Sequence, residues 1–330
     1  MKQMSFSSDA PTATGNRSGT DSPSDGTGFV PGRHTRSRRA MISRRAVHLG
    51  LLATAGSLLT ARARAASTRE PIRFAVGPTL PTPDDSRRAW DPLFRKIAEA
   101  LGRPYTLVAT TDWAGTAVAL ASRQVDISFV GPWGYLLAKR EGGAIPLAML
   151  KLDGLTYYHA IIVARPGLSI ANWPEDAKGL RISFADMAST SGWLIPAYWF
   201  KRRGIDPKSY FQYRDGATHA ANETAVANGQ VDIATDNDRN RLLMIEKGVL
   251  KSEASNIVWR SDPIPNSLIA ARTDLDPSTV NTVRQFLLSL SDEQAKALMP
   301  EHYTGFAPTK DSDFALIEEA GVALGLLKKP

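Results

Sequence analysis

From Pro71 onward the chain alternates short apolar runs with amphipathic ones, and that alternation confines it to a small set of folds. "IRFAVG" (72–77) reads as a strand ending at Gly-Pro, and "DPLFRKIAEALG" (91–102) as a helix stopped by Gly102. "YTLVAT" (105–110) and "VDISFV" (125–130) are strands. "DWAGTAVALASR" (112–123) is a helix opened by Asp112, and "PWGYLLAKREGG" (132–143) one with Pro132 at its first position. A second stretch repeats the order. Strands are expected at 159–165, 180–185 and 231–235, and helices at 191–204 and 236–248. Gln124-Val125-Asp126-Ile127-Ser128 and Gln230-Val231-Asp232-Ile233-Ala234 each follow an alanine-rich helix and precede another helix. One such unit in each half predicts two lobes of similar topology. The fold class is therefore α/β, each lobe a mostly parallel sheet flanked by helices. Residues 66–160 with 265–330 are assigned to lobe 1, and 161–264 to lobe 2. The segments 276–299 and 314–327 read as helices returned to the first lobe.

Residues 1–40 are rich in Ser, Thr, Gly and Asp and lack apolar periodicity, so they cannot bury enough surface to offset their ordering entropy. After them comes a twin-arginine pair, Ser43-Arg44-Arg45, then a short apolar run from Ala46 to Leu59, then the small-x-small triplet Ala63-Arg64-Ala65. Together they read as an export signal over 41–65 of the twin-arginine type. Met41 opens that signal, and translation is expected to begin there. The leader also accounts for the charge. Of 40 Lys+Arg and 33 Asp+Glu, 10 and 3 lie in residues 1–65, which leaves 30 of each beyond it. A basic balance confined to the leader gives no reason to expect nucleic-acid binding. The mature protein is expected outside the cytoplasm, in the periplasm.

"ADMASTSGWLIP" (185–196) is the stretch richest in chemistry. It places Ser189, Thr190, Ser191 and Gly192 between a strand and an aromatic helix. A helix start presents unpaired N–H groups and the positive end of its dipole, which together suit an anion. Hydroxyls add donors that rotate to fit a tetrahedral oxyanion, and Gly192 admits close backbone approach. Ser and Thr are also ordinary helix caps, so capping and oxyanion binding both remain open on this stretch. Pro196 should kink the helix or mark a later start.

Other chemistries find little support. There is no phosphate-binding Gly-x-x-x-x-Gly-Lys and no Gly-x-Gly-x-x-Gly. The run Asp236–Arg241 has Arg241 where a calcium loop needs glycine. The histidines after the leader (His159, His219, His302) lack metal-ligand spacing, and the chain has no cysteine, so no metal or cofactor is expected. A Ser191–His219 hydrolase lacks the strand–elbow–helix motif that would support it, and no enzymatic activity is expected.

The residues from Ile72 to Phe306 resemble periplasmic phosphonate- and phosphite-binding proteins of ABC importers. The stretches that carry the resemblance are "DWAGTAVALASRQVDISFVGP", "DGLTYYHAIIVARPG", "ADMASTSGWLIPAYWF", "ATHAANETAVANGQVDIATDN" and "VWRSDPIPNSLIAAR". The resemblance implies a two-lobed periplasmic-binding-protein fold, type II-like, with the ligand cleft between lobes and no catalysis. It implies that Ser189, Thr190 and Ser191 hold the phosphonate oxygens and that His219 reaches them from the second lobe. Trp113 stands where a cleft tyrosine is usual, and Tyr157 matches a tyrosine that faces the ligand.

Two departures from the family pattern bear on the ligand. Members that bind aminoalkyl phosphonates hold the ammonium with two carboxylates; the matching positions here are Arg239 and Ser267. Arginine offers only donors, so a cationic tail is disfavoured. The expected ligand is a small oxyanion (phosphite, phosphate or a short alkylphosphonate) or one with a second anionic group for Arg239. Asp236 and Asp238 are the nearby carboxylates that would neutralise Arg239 instead. The partner implied is an inner-membrane ABC permease served by a monomer. The alternative is a sensor of the same fold presenting its ligand to a membrane histidine kinase.

Overall fold

The computed structural model describes residues 70–328; the export signal, the Met41 start and the 1–40 segment lie outside the described residues. The chain opens with β1 (Ile72–Val76) and a long helix, Pro83–Leu101. β2 (Tyr105–Ala109), helix Trp113–Ala121, β3 (Ile127–Val130), helix Pro132–Gly142 and β4 (Ala144–Leu152) follow. β5 (Tyr157–Tyr158) leads to β6 (Ala160–Ala164) and β7 (Arg181–Ala185). After helix Ile195–Arg202 come β8 (Gln212–Ala217), helix His219–Ala227, β9 (Ile233–Asn237), helix Asp238–Glu246 and β10 (Asn256–Arg260). The chain returns through β11 (Ile264–Pro265) to β12 (Leu268–Arg272), helices Pro277–Ser289 and Asp292–Leu298, β13 (Tyr303–Ala307) and helix Ala315–Ala323.

The strands form two separate sheets. The first has the order β13-β4-β12-β3-β1-β2 and the second β10-β6-β9-β7-β8. β5 and β11 pair with one another, antiparallel, where the chain crosses out of the first sheet and back. Each sheet is mixed rather than mostly parallel: two of five pairings are parallel in the first and two of four in the second. β1 runs parallel to β2 and β3, while β12 is antiparallel to β3 and β4, and β13 to β4. β7 runs parallel to β8 and β9, while β6 is antiparallel to β9 and β10. Parallel neighbours need a long crossover. β6 and β12 enter their sheets directly from the crossing strands, so they run against their neighbours.

The repeated pentapeptide marks a repeated device. In the first sheet Asp126 accepts the backbone N–H of Arg73 (2.8 Å), the Arg73 guanidinium (2.7 Å) and Arg272 Nε (2.9 Å). In the second, Asp232 accepts the backbone N–H of Arg181 (3.0 Å), the Arg181 guanidinium (2.9 Å) and Arg165 Nε (2.9 Å). Each carboxylate pins the start of its own strand to the start of a parallel neighbour. The arginine bonds hold both carboxyls below their usual range, against the opposing effect of burial.

The local signals explain most helix ends. Thr82 caps the first helix by accepting from Asp85 N, Pro83 opens it, and Gly102 closes it at φ 59°. Its stripe of Trp90, Leu93, Phe94 and Ile97 is buried beside Phe74 and Phe129. That helix begins eight residues before the expected start, because Asp91-Pro92 carries the same start signal as Thr82-Pro83 while lying inside it. The helix expected over 276–299 is broken at Ser291, which forms a capping box with Gln294. Helix Ala315–Ala323 does not belong to the first lobe alone. Gly321 packs on Trp133, and Glu319 accepts from Tyr198 of the second lobe at 2.5 Å.

Candidate ligand-binding cleft

A cavity of about 110 Å³ lies between the sheets, lined by Trp113, Gly131, Tyr158, Ser189, Thr190, Ser191, His219, Arg239, Asn266, Ser267 and Tyr303, among others. The helices that begin at Trp113, Pro132, His219 and Asp238 all present their first residues or caps to it. Their positive ends converge on one small volume, beyond the carboxyl ends of β3, β7 and β9.

The hydroxyl turn is a wide one. Leu194 N and Ile195 N donate to the carbonyls of Ser189 and Thr190, five residues back, before regular helix starts at Ile195 with Pro196 in its first turn. Pro196 thus marks a later helix start. The close packing requires Gly192: a Cβ there would lie 2.4 Å from Ala185 Cβ and 2.8 Å from His219 Cε1. The three hydroxyls have three different partners. Ser189 Oγ accepts from Gly192 N at 3.1 Å and meets His219 Nε2 at 3.0 Å. Thr190 Oγ1 accepts from Trp133 N at 2.9 Å, capping a helix of the other lobe. Ser191 and Thr190 are close enough to the buried Tyr158 phenol to act on it. Capping and ligand binding are therefore not exclusive alternatives. Ser189 caps its own turn and Thr190 joins the lobes, while the Ser191 hydroxyl bonds to no backbone group among the described residues.

His219 is buried, and desolvation pushes its imidazole down to about 4, so it is neutral at neutral pH. Its Nδ1 lies 2.9 Å from Asp236 Oδ1, outside hydrogen-bonding geometry. Behind Asp236 lie Glu223, Asn240 and Arg241. Ser255 Oγ donates to Glu223 Oε2 (2.9 Å), Asn240 Nδ2 to Asp236 Oδ2 (2.9 Å), and Arg241 Nη1 lies 3.7 Å from Glu223. Burial pushes both carboxyls up, and the pair keeps a proton at neutral pH.

Of the residues singled out by sequence, Ser189, Thr190, Ser191, His219, Trp113, Arg239 and Ser267 all line the cavity. Tyr157 does not. Tyr157 is 40% exposed, and Tyr158 lines the cavity in its place. Successive strand residues point to opposite faces, so a one-residue choice decides which tyrosine faces the ligand. Trp113 lies against Gly77, where a Cβ would meet its ring at 2.5 Å. Burial pushes the Tyr158 and Tyr303 phenols up to about 12, so both remain hydrogen-bond donors.

Arg239 is paired with neither carboxylate considered for it. Asp236 belongs to the buried cluster, and Asp238 is engaged by His159 (2.8 Å) and Arg260 (2.9 Å). The guanidinium donates to Asn266 Oδ1 and to the Tyr157 carbonyl, and lies 5.1 Å from the Tyr158 ring centroid. Asn266, Tyr303 and His302 were not foreseen. His302 bridges Asp153 (3.1 Å) and Glu246 (2.6 Å) at the cavity wall. Asn266 sits in "IPNS", a turn-like stretch with no periodic signal to set it apart.

A family model described as "ABC transporter, phosphonate, periplasmic substrate-binding protein" matches residues 75–314. The chain belongs to this family. It is 26% identical over 273 residues to the phosphonates-binding periplasmic protein of Escherichia coli, covering 81% of this chain and 80% of that protein. It is 28% identical over 253 residues to the phosphate-import protein PhnD of Mycolicibacterium smegmatis, covering 70% of this chain and 78% of that one. Among solved structures it resembles a binding protein component of an ABC phosphonate transporter from Pseudomonas aeruginosa. That match has a TM-score of 0.70 and 25% identity over 77% of this chain and 86% of that one. PhnD1 of Prochlorococcus marinus, solved with methylphosphonate, shares the fold at a TM-score of 0.69 and 17% identity, over 78% and 98%. The phosphonate-binding fold thus accounts for two sheets facing one cleft.

Proposed function

We propose that this protein captures a small phosphorus oxyanion (phosphonate, phosphite or phosphate) between its lobes and delivers it to an ABC permease. The reading includes export to the periplasm by the twin-arginine route, action as a monomer, and no catalysis. One observation carries it: the hydroxyl turn, neutral His219 and the Tyr158 phenol meet several helix N-termini in a cavity of about 110 Å³. Neutral donors suit an anion whose charge the helix ends help to balance. The cavity size fits the energetics. Micromolar affinity is about 8 kcal/mol, and the best small ligands reach about 1.5 kcal/mol per heavy atom. A five-atom oxyanion therefore needs nearly every donor in place beforehand, which the cross-linked turn provides. Calorimetric titration with phosphite, phosphate and methylphosphonate, with sulfate as control, tests the reading. Binding of at least one phosphorus oxyanion in preference to sulfate is the expected result; no binding of any overturns it.

A further inference from the structure

The far end of the cleft carries a cation, Arg239, that forms no ion pair among the described residues; Asp238 and Asp153 act on it only from beyond ion-pair distance. Arg239 is half-buried at the cavity wall, in the first turn of helix Asp238–Glu246. Helix dipoles favour anions there, so the position is a costly one for a guanidinium. No carboxylate among the described residues lies within 4.0 Å of it. Its two hydrogen bonds go to neutral acceptors, the Asn266 amide oxygen and the Tyr157 carbonyl. A guanidinium has five N–H donors, so most remain unused. Burial acts on it to lower its proton affinity, the sign of a charge short of compensation.

Asn266 fixes the direction of that charge. It is buried, and its NH2 donates to the Leu150 carbonyl (2.9 Å) and toward that of Leu155 (3.5 Å). Those bonds set which way the amide faces and leave Oδ1 for Arg239. The guanidinium is thereby held against the ring of Tyr158, which lines the same cavity as Ser191 and Thr190. The Tyr158 ring thus lies between the hydroxyl turn and Arg239. Ser267, also on the wall, adds no negative charge.

We infer that the cleft selects a compact, doubly anionic phosphonate, one whose phosphorus head sits at the hydroxyl turn and whose carboxylate, one or two bonds further on, pairs with Arg239. This deepens the proposed function and rests on it. A carboxylate matches the guanidinium's fork, and the single-ring separation limits the ligand to a short one. An ammonium tail is repelled by the same charge.

The test is calorimetric titration of the purified protein with phosphonoacetate, methylphosphonate and 2-aminoethylphosphonate, in wild type, Arg239→Gln and Arg239→Lys, with melting temperatures as a check on folding. We expect phosphonoacetate to bind at least about 10-fold tighter than methylphosphonate, the difference one charged hydrogen-bonded pair supplies. Arg239→Gln should abolish that preference, weakening phosphonoacetate far more than methylphosphonate, and Arg239→Lys should keep part of it. If methylphosphonate binds and phosphonoacetate binds no tighter, the inference fails and the proposed function stands. If Arg239→Gln weakens both ligands equally, Arg239 serves the phosphorus head or lobe closure, and the inference again fails. If no phosphorus acid binds, phosphonoacetate included, both fail together.

Discussion

The two ends of the cleft are built on opposite principles. At the hydroxyl turn the cavity-lining side chains of Ser189, Thr190, Ser191 and His219 are neutral, and they are held by close partners: Ser189 by Gly192 and His219, Thr190 by Trp133, Ser191 near Tyr158. At the other end a single guanidinium is aimed by Asn266 and forms no ion pair among the described residues. The first end can be complete before a ligand arrives, so it suits what all candidate ligands share, the oxyanion head. The second holds a cation without an ion-pair partner among the described residues, and we propose that it distinguishes ligands by what they add. On the proposed reading, common recognition and discrimination are separated along the cleft.

The largest effect should come from closing the space in which the turn is folded. In Gly192→Ala the new methyl would sit 2.4 Å from the Ala185 Cβ, which cannot swing away. We expect loss of at least about 100-fold in affinity for every phosphorus oxyanion, as two or more charge-assisted bonds of about 1.5–3 kcal/mol are displaced. Calorimetry with methylphosphonate and phosphonoacetate checks it. A variant that lost only one of the two would break the division between ends.

Ser189→Ala should come next, at about 10- to 100-fold in affinity, the value of one hydrogen bond to a charged group. Because Ser189 also caps its turn, stability should fall by about 1–2 kcal/mol, measured by denaturant unfolding. From sequence alone this variant would be expected to leave the unliganded fold almost untouched. The bonds to Gly192 and His219 show why it should not.

Glu223→Gln probes the buried pair behind His219. Both carboxyls have folded pKa values raised by burial, so the unfolded chain gives up its proton first as pH rises. The pair's contribution is full below the usual carboxylate range and is lost as pH rises through the raised folded values. Glu223→Gln removes one titrating group and should flatten that decline. We expect the variant to gain about 1 kcal/mol on wild type at pH 9, close to the worth of one pKa unit, and little at pH 5. Parallel slopes in unfolding from pH 5 to pH 9 would show that the pair holds no shared proton.

Much of this was legible in the sequence, for reasons tied to particular residues. The hydroxyl turn could be located because strand, loop and helix signals bracket it. The paired Asp126 and Asp232 were visible as a repeated pentapeptide, although their common partners Arg73 and Arg181 lie 53 and 51 residues away. Strand direction was not legible. Periodicity reports which face a residue occupies, not which way its strand runs, so the antiparallel pairings of both sheets stayed hidden. The Tyr157–Tyr158 choice failed on parity, since both residues are aromatic and adjacent. β8, with its exposed "RDG" on a sheet edge, lacks apolar alternation altogether. Asn266 acts only through contacts with Leu150, Leu155 and Arg239, which no local pattern encodes.

The most direct test of the neutral end is Ser191→Ala, because Ser191 is the hydroxyl of the turn that holds no backbone group in place. Titrating methylphosphonate calorimetrically into wild type and Ser191→Ala, with melting temperatures alongside, isolates ligand recognition from capping. We predict affinity about 10-fold weaker or worse with the melting temperature unchanged. Equal affinities in the two proteins would contradict the placement of the oxyanion at the hydroxyl turn.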